Sequence, residues 1–326
     1  MDATRQDIKY LSVVFTTHRP EMVPLTAELM KTHDAVFLEE PPTPGFEAML
    51  KGELSIDDYL MPVDVEYPEF SRQMCRLERE LYARGIALIQ VEPFIEELMA
   101  IHDLFADGGT PADIPPNSVR DAVYRHEKSA TGALLTYYRT VMTADFDKAV
   151  SAIMAFARQD AARFRLRDKL RAIAITNRIH PFRRIYIEAG VIHFGLYREL
   201  KAQLTGNCIT PVYAARPAIR QLGRKGHMYG PGDQLTLLYI LRPHQYRSGS
   251  SREIRLAARS LIYAKLIAKE EISGDLAAYP HIQDELDTIR MVNRLSVEDC
   301  RMLFPRIRRA ATAAAVDLVK NYLADT

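Results

Sequence analysis

Arg183 to Leu204 reads RRIYIEAGVIHFGLYRELKAQL: a β-branched run, a Gly-Val-Ile-His step, then an amphipathic pattern of helical period. His193 falls where a strand would stop. In open α/β sheets the edge beyond the carboxyl ends of the strands is where ligands and chemistry gather. The N-terminal part repeats the device, because Tyr10 to His18 (YLSVVFTTH) is an apolar run ending on a histidine before a proline-containing turn and a helical pattern. The two histidines are therefore expected to face one cleft.

Working outward, Glu21 to Thr32 carries Met22, Leu25, Leu29 and Met30 near helical spacing, and Ala35 to Glu40 (AVFLEE) is a second strand stopped by Pro41-Pro42. Residues 41–68 read as a loop with a short helix from Ser55 to Tyr59. Glu69 to Arg84 is an amphipathic helix closed by Gly85, and Ile86 to Val91 is a third strand ending in Glu92-Pro93. Alternating strands and helices imply right-handed crossovers and a parallel sheet. Ser118 to Ile179 then keeps helical periodicity throughout, with a break and N-cap at Thr143 to Asp145, and reads as a long helical hairpin inserted into the α/β domain. After the His193 strand and its helix, Cys208 to Ala214 is a last strand that Pro211 demotes towards an edge. The expected fold class is α/β: a mostly parallel sheet flanked by helices, with the hairpin insertion at about 118–180. This core spans 1–215. Residues 216–326 are expected to be mainly helical, near 233–243, 251–272, 281–294 and 297–323, joined through the glycine-rich Gly223 to Asp233 (GRKGHMYGPGD).

The 326 residues, 48% hydrophobic, are enough for a sizeable core. Forty-three Lys and Arg against 42 Asp and Glu leave no global field of the kind that attracts nucleic acid or an anionic membrane. Neither partner is expected. Three cysteines, Cys75, Cys208 and Cys300, are too few and too scattered for a disulfide framework or a metal knuckle. No secretory signal opens the chain, and no apolar run approaches the ~20 residues of a spanning helix. The sequence thus predicts a cytoplasmic protein with reduced thiols and no membrane anchor.

A lone histidine is usually structural, but two after apolar runs and before helices carry more weight together. With Glu39, Glu40 and Glu92 at matching strand ends they make a set suited to a divalent metal of the manganese, cobalt or zinc class, with a position open for water. On a strand Glu39 and Glu40 face opposite ways, and Glu39 is favoured as the ligand beside His18 and His193. A metal-free alternative uses one histidine as general base, oriented by a glutamate. Arg165, Arg167 and Asp168 in RFRLRDKLRAIAITNRI read, unaided, as a solvated helix face. His227 and Tyr229 belong to a lid or, more simply, a linker. His33, His102, His126, His180, His244 and His281 show no partner spacing.

The chain holds no GxxxxGK[ST], GxGxxG after a strand, HExxH or GxSxG, which argues against common NTPases, dinucleotide oxidoreductases, zincins and α/β-hydrolases. The residues do resemble the TraB/TIKI proteins, within the erythromycin-esterase-like and ChaN-like superfamily. Gly190-Val-Ile-His193 is similar to that family's second Gly-x-x-His motif, and Phe15-Thr-Thr-His18 to its first, with phenylalanine in place of glycine. Ala35-Val-Phe-Leu-Glu39 resembles its glutamate strand and Arg167-Asp168-Lys-Leu-Arg-Ala-Ile-Ala its Arg-Asp helix. The resemblance covers roughly 10–215. It implies a site of His18, Glu39 and His193, with Arg167 or Asp168 nearby, and activities from metal-dependent proteolysis and ester hydrolysis to haem-iron binding or regulation. The expected function is a metal-dependent hydrolase of amide or ester bonds acting on a small molecule or peptide. The alternative is a non-catalytic module for a small ligand, a peptide or haem iron, its C-terminal helices forming an interaction or homo-dimer surface.

Overall fold

A computed structural model describes residues 8–63, 66–243, 249–272 and 278–325. His244 and the first seven residues lie outside them. In chain order the elements are β1 (Tyr10–Thr16), α1 (Met22–Met30), β2 (Ala35–Leu38), α2 (Phe46–Lys51), α3 (Ile56–Leu60), α4 (Pro68–Ala83), β3 (Ala87–Gln90), α5 (Pro93–Ala106), α6 (Val119–Val141), α7 (Phe146–Thr176), β4 (Arg184–Gly190), α8 (Phe194–Gln203) and β5 (Cys208–Tyr213). Helices α9 (Arg216–Gln221), α10 (Pro231–Leu241), α11 (Ser251–Leu266), α12 (Pro280–Asn293), α13 (Val297–Ile307) and α14 (Thr312–Ala324) complete the chain.

The five strands form one all-parallel sheet in the order β3-β2-β4-β1-β5. β4 lies between β1 and β2, with Tyr10 opposite Arg184 and Ala35 opposite Ile185. The inner strands are apolar on both faces because helices cover both, as parallel sheets require. On one face Leu11, Val13, Phe15, Ala35, Phe37, Ile185, Ile187 and Ala189 pack with Ala172 and Ile175 of α7 and Leu196 and Leu200 of α8. The proline at 211 does sit in an edge strand, where its missing N–H costs no ladder bond. Gly85 closes α4 at φ +79°, a left-handed turn that lets the Ile86 N–H reach the Leu81 carbonyl at 3.1 Å and turns the chain into β3.

The chain divides into two compact units. One, residues 1–110 and 166–218, holds the whole sheet. The other, 111–165 and 219–326, groups α6 and the first part of α7 with the C-terminal helices, so the hairpin expected at 118–180 is shared out at Arg165/Leu166 within α7. In that second unit α11 packs against α10, α12, α13 and α14. The helix expected over 297–323 is two, α13 and α14, separated near Ala310, and α5 follows the Glu92-Pro93 step with Pro93 at its first turn. No helix among the described residues is long and apolar enough to cross a membrane.

Candidate functional site

β4 ends at Gly190, and three residues later His193 is the N-cap of α8, 2% exposed. α7 brings Arg167, Asp168 and Arg171 to the same place, since spacings of three and four put them on one helical face. β2 ends just before Glu39, and β3 just before Glu92, which is fully buried at the start of α5. All of these residues belong to the sheet-bearing unit.

His193 Nδ1 lies 2.5 Å from Asp168 Oδ1 and its Nε2 2.8 Å from Glu39 Oε1. The ring is therefore held in line between two carboxylates. Glu39 also accepts the Gly190 N–H on Oε2 at 2.5 Å and a hydrogen bond from Arg167 Nη2 on Oε1 at 3.1 Å, with Arg171 Nη1 3.4 Å from Oε2. Arg167 Nη2 is 3.0 Å from Glu92 Oε2. Arg171 donates its Nε to the Val91 carbonyl at 2.9 Å. Three carboxylates, Glu39, Glu92 and Asp168, thus face three cations, Arg167, Arg171 and His193, in a low-dielectric setting where each needs the others.

Burial works against a charged His193 ring, but Glu39 and Asp168 outweigh it and push its pKa up to about 9. Burial likewise opposes the Glu39 charge, yet His193, Arg171 and Arg167 hold that carboxyl well below the usual range. Arg167 is held still more firmly charged: burial is overcome by Glu92 and Glu39. The resting arrangement is an imidazolium against an ionised Glu39. It is also incomplete in hydrogen bonds. Both Glu92 oxygens, Asp168 Oδ2, Arg167 Nε and both terminal nitrogens of Arg171 have no hydrogen-bond partner among the described residues, Glu92 meeting Arg167 at ion-pair distance without the alignment of a bond. Buried polar atoms in that state are rare in folded proteins and gather at sites of strain or chemistry.

The histidine pair is not brought together. His18 lies beyond the end of β1 as His193 lies beyond β4, but it is exposed and its ring stacks on Phe70 at 5.1 Å. Phe15, three residues earlier, is buried and stacks with Phe194 and Tyr213. The ligand set of His18, His193 and Glu39 does not form, and among the described residues no three histidine, cysteine, aspartate or glutamate side chains are arranged to hold a metal ion. Where a divalent cation would sit against Glu39, Arg167 and Arg171 already supply the positive charge. The residues do not fit a divalent metal.

Glu40 turns to the other side of the sheet from Glu39. It accepts from Gln90 Nε2 at 2.9 Å, and burial, with Glu188 nearby, pushes its pKa up to about 7 against that bond. Glu78 of α4, buried beside Glu40 and Glu188, is held well above the usual carboxylate range. Glu188 of β4 connects the two sides, its Oε2 accepting the Glu39 N–H at 3.0 Å. Arg171, Glu188 and Gly195 are absent from the sequence reading. Arg171 was legible in principle, lying three and four residues from Asp168 and Arg167. Gly195 matters because a Cβ there would collide with Asp168 Oδ2. Arg165, by contrast, bonds the Tyr239 carbonyl at 2.9 Å within the helical unit.

No family model matches the chain, and no solved structure matches it. It is similar to an uncharacterised protein of Archaeoglobus fulgidus, 28% identical over 298 residues, which cover 91% of this chain and 98% of that one. The likeness therefore runs through the residues of both units.

Proposed function

We propose that the chain hydrolyses an amide or ester bond without a metal, using His193 as proton donor. What carries the reading is the buried Asp168–His193–Glu39 line at the carboxyl edge of a parallel sheet. Glu92, whose two oxygens have no hydrogen-bond partner among the described residues, holds a water and takes its proton as the water attacks the acyl carbon. The terminal nitrogens of Arg171 stabilise the oxyanion that forms. His193, charged at neutral pH, passes its proton to the departing oxygen or nitrogen, and the proton on Glu92 restores it. Asp168 keeps the ring oriented. The resemblance to the TraB/TIKI proteins supports the bond class.

A panel of aryl esters and aminoacyl arylamides tests this. Turnover by the parent should be insensitive to chelators. It should fall by about 10²–10⁴-fold in kcat/KM in Glu92→Gln, the range expected when a positioned acid or base is lost. Loss of turnover on chelation would return the weight to a metal.

One observation favours a second reading. Each His193 nitrogen already meets a carboxylate, which suits a non-catalytic module whose Arg171 and Glu92 hold a small polar ligand. Its signature is ligand-dependent stabilisation with no turnover on the same panel.

A further inference from the structure

The glycine-rich join Gly223 to Asp233 belongs to the helical unit. It begins as a helix end: Gly223, at φ +65°, turns the chain after α9, its N–H bonding the Arg220 carbonyl at 2.9 Å while the Arg224 N–H reaches Ile219 at 3.0 Å. Gly226 follows at φ +125°. A Cβ at either glycine would meet open space, so these residues are there for the backbone path and not for close packing. The turn stands against α12, to which Arg224 is fixed by an ion pair from Nη2 to Asp287 Oδ1 at 2.8 Å.

Between turn and helix is a cleft of about 510 Å³. Its walls carry Arg224, Lys225, His227 and Arg290, and no carboxylate lines it. Its floor is Leu286 and Ile289, both buried, which α12 presents with Arg290 at spacings of three and four. Arg224 has Asp287. Lys225 and Arg290 have no ion-pair partner among the described residues, so two uncompensated cations face one concavity. Like charges gathered in a hollow repel one another unless an anion sits between them. A guanidinium fork, an ammonium and a glycine turn match a phosphate better than a single carboxylate. The apolar floor asks for a ligand with a flat or apolar body, and the volume falls within the range of small-molecule sites.

We propose that this cleft in the helical unit binds a small phosphate-bearing molecule with a flat ring body, of the nucleoside monophosphate class. The phosphate meets Arg224, Lys225 and Arg290, and the body lies on Leu286 and Ile289.

Calorimetric titration of the full chain with AMP, inorganic phosphate and adenosine tests it, beside Lys225→Ala and Arg290→Ala. Both side chains are exposed, so the variants should melt with the parent. AMP should bind more tightly than phosphate or adenosine, more weakly as salt is raised, and about tenfold more weakly in each variant. Three results would overturn the proposal: no AMP binding, equal AMP affinity in parent and variants, or phosphate binding as well as AMP, which would mean an adventitious ion only.

Discussion

His193 shows how a single side chain sets the pH range of the molecule. Its folded pKa, about 9, lies above the unfolded value near 6.5, so its contribution is complete below the unfolded value and drains away as pH rises through 9. Glu39 has the opposite sign: held low in the fold, it contributes above the usual carboxylate range and is lost as pH falls below it. The parent should therefore melt highest between the usual carboxylate range and about pH 6.5, with a descent from there to about pH 9 that is absent in His193→Ala. That variant leaves Asp168 and Glu39 buried without their shared cation and should cost about 3–5 kcal/mol at pH 7, read from denaturant melts. Gly195 is a stricter position than its sequence context announces. Gly195→Ala pushes a methyl group against Asp168, so we expect about 1–3 kcal/mol of destabilisation and a lower His193 pKa in NMR titration. An unchanged His193 titration would show that Asp168 can swing aside without loss.

At the scale of elements, the end of β2 matters most, because successive residues there supply opposite sides of the sheet. Glu39 meets His193, while Glu40 joins Glu78 and Glu188 in a buried acidic group. Glu40, with its pKa raised to about 7, adds stability below the unfolded carboxylate pKa and forfeits it as pH rises through 7. Glu40→Gln should accordingly raise the melting temperature at pH 8 and leave it nearly unchanged at pH 4; a variant that melts lower at pH 8 would mean that Glu40 is needed as a charge. The strands were legible because a parallel sheet demands continuous apolar runs, and the stops at Pro41 and Pro93 marked its carboxyl edge. Periodicity also located α6 and α7. What the pattern concealed was direction. Nothing local in Phe15-Thr-Thr-His18 says that His18 turns to Phe70, a residue of α4 that lies well along the chain. Nor does a run of arginines reveal which ones are buried: Arg171 reads as a surface residue until Glu39 and Glu92 surround it.

For the molecule as a whole, the three thiols give a simple report of integrity. Cys75 and Cys300 are buried, and burial pushes the Cys300 thiol up to about 12, whereas Cys208 is exposed on β5. A native sample should show one fast-reacting thiol towards a disulfide reagent and three after denaturation, and reductant should not shift its melting temperature. Three fast thiols in the native state would mean that the packing around Cys75 and Cys300 is open.

The placement of β4 between β1 and β2 has a consequence in time. As the chain leaves the ribosome, β1, β2 and β3 emerge first, yet β1 and β2 share no ladder and must wait for residues 184–190 to bridge them. About 90 residues separate β3 from β4, on the order of 5–20 s of translation. Through that interval β1 lacks its native partners and β2 has only β3, each leaving apolar edges open to other chains. Glu39 and Glu92 emerge early; Asp168, Arg171 and His193 reach them only when the sheet closes.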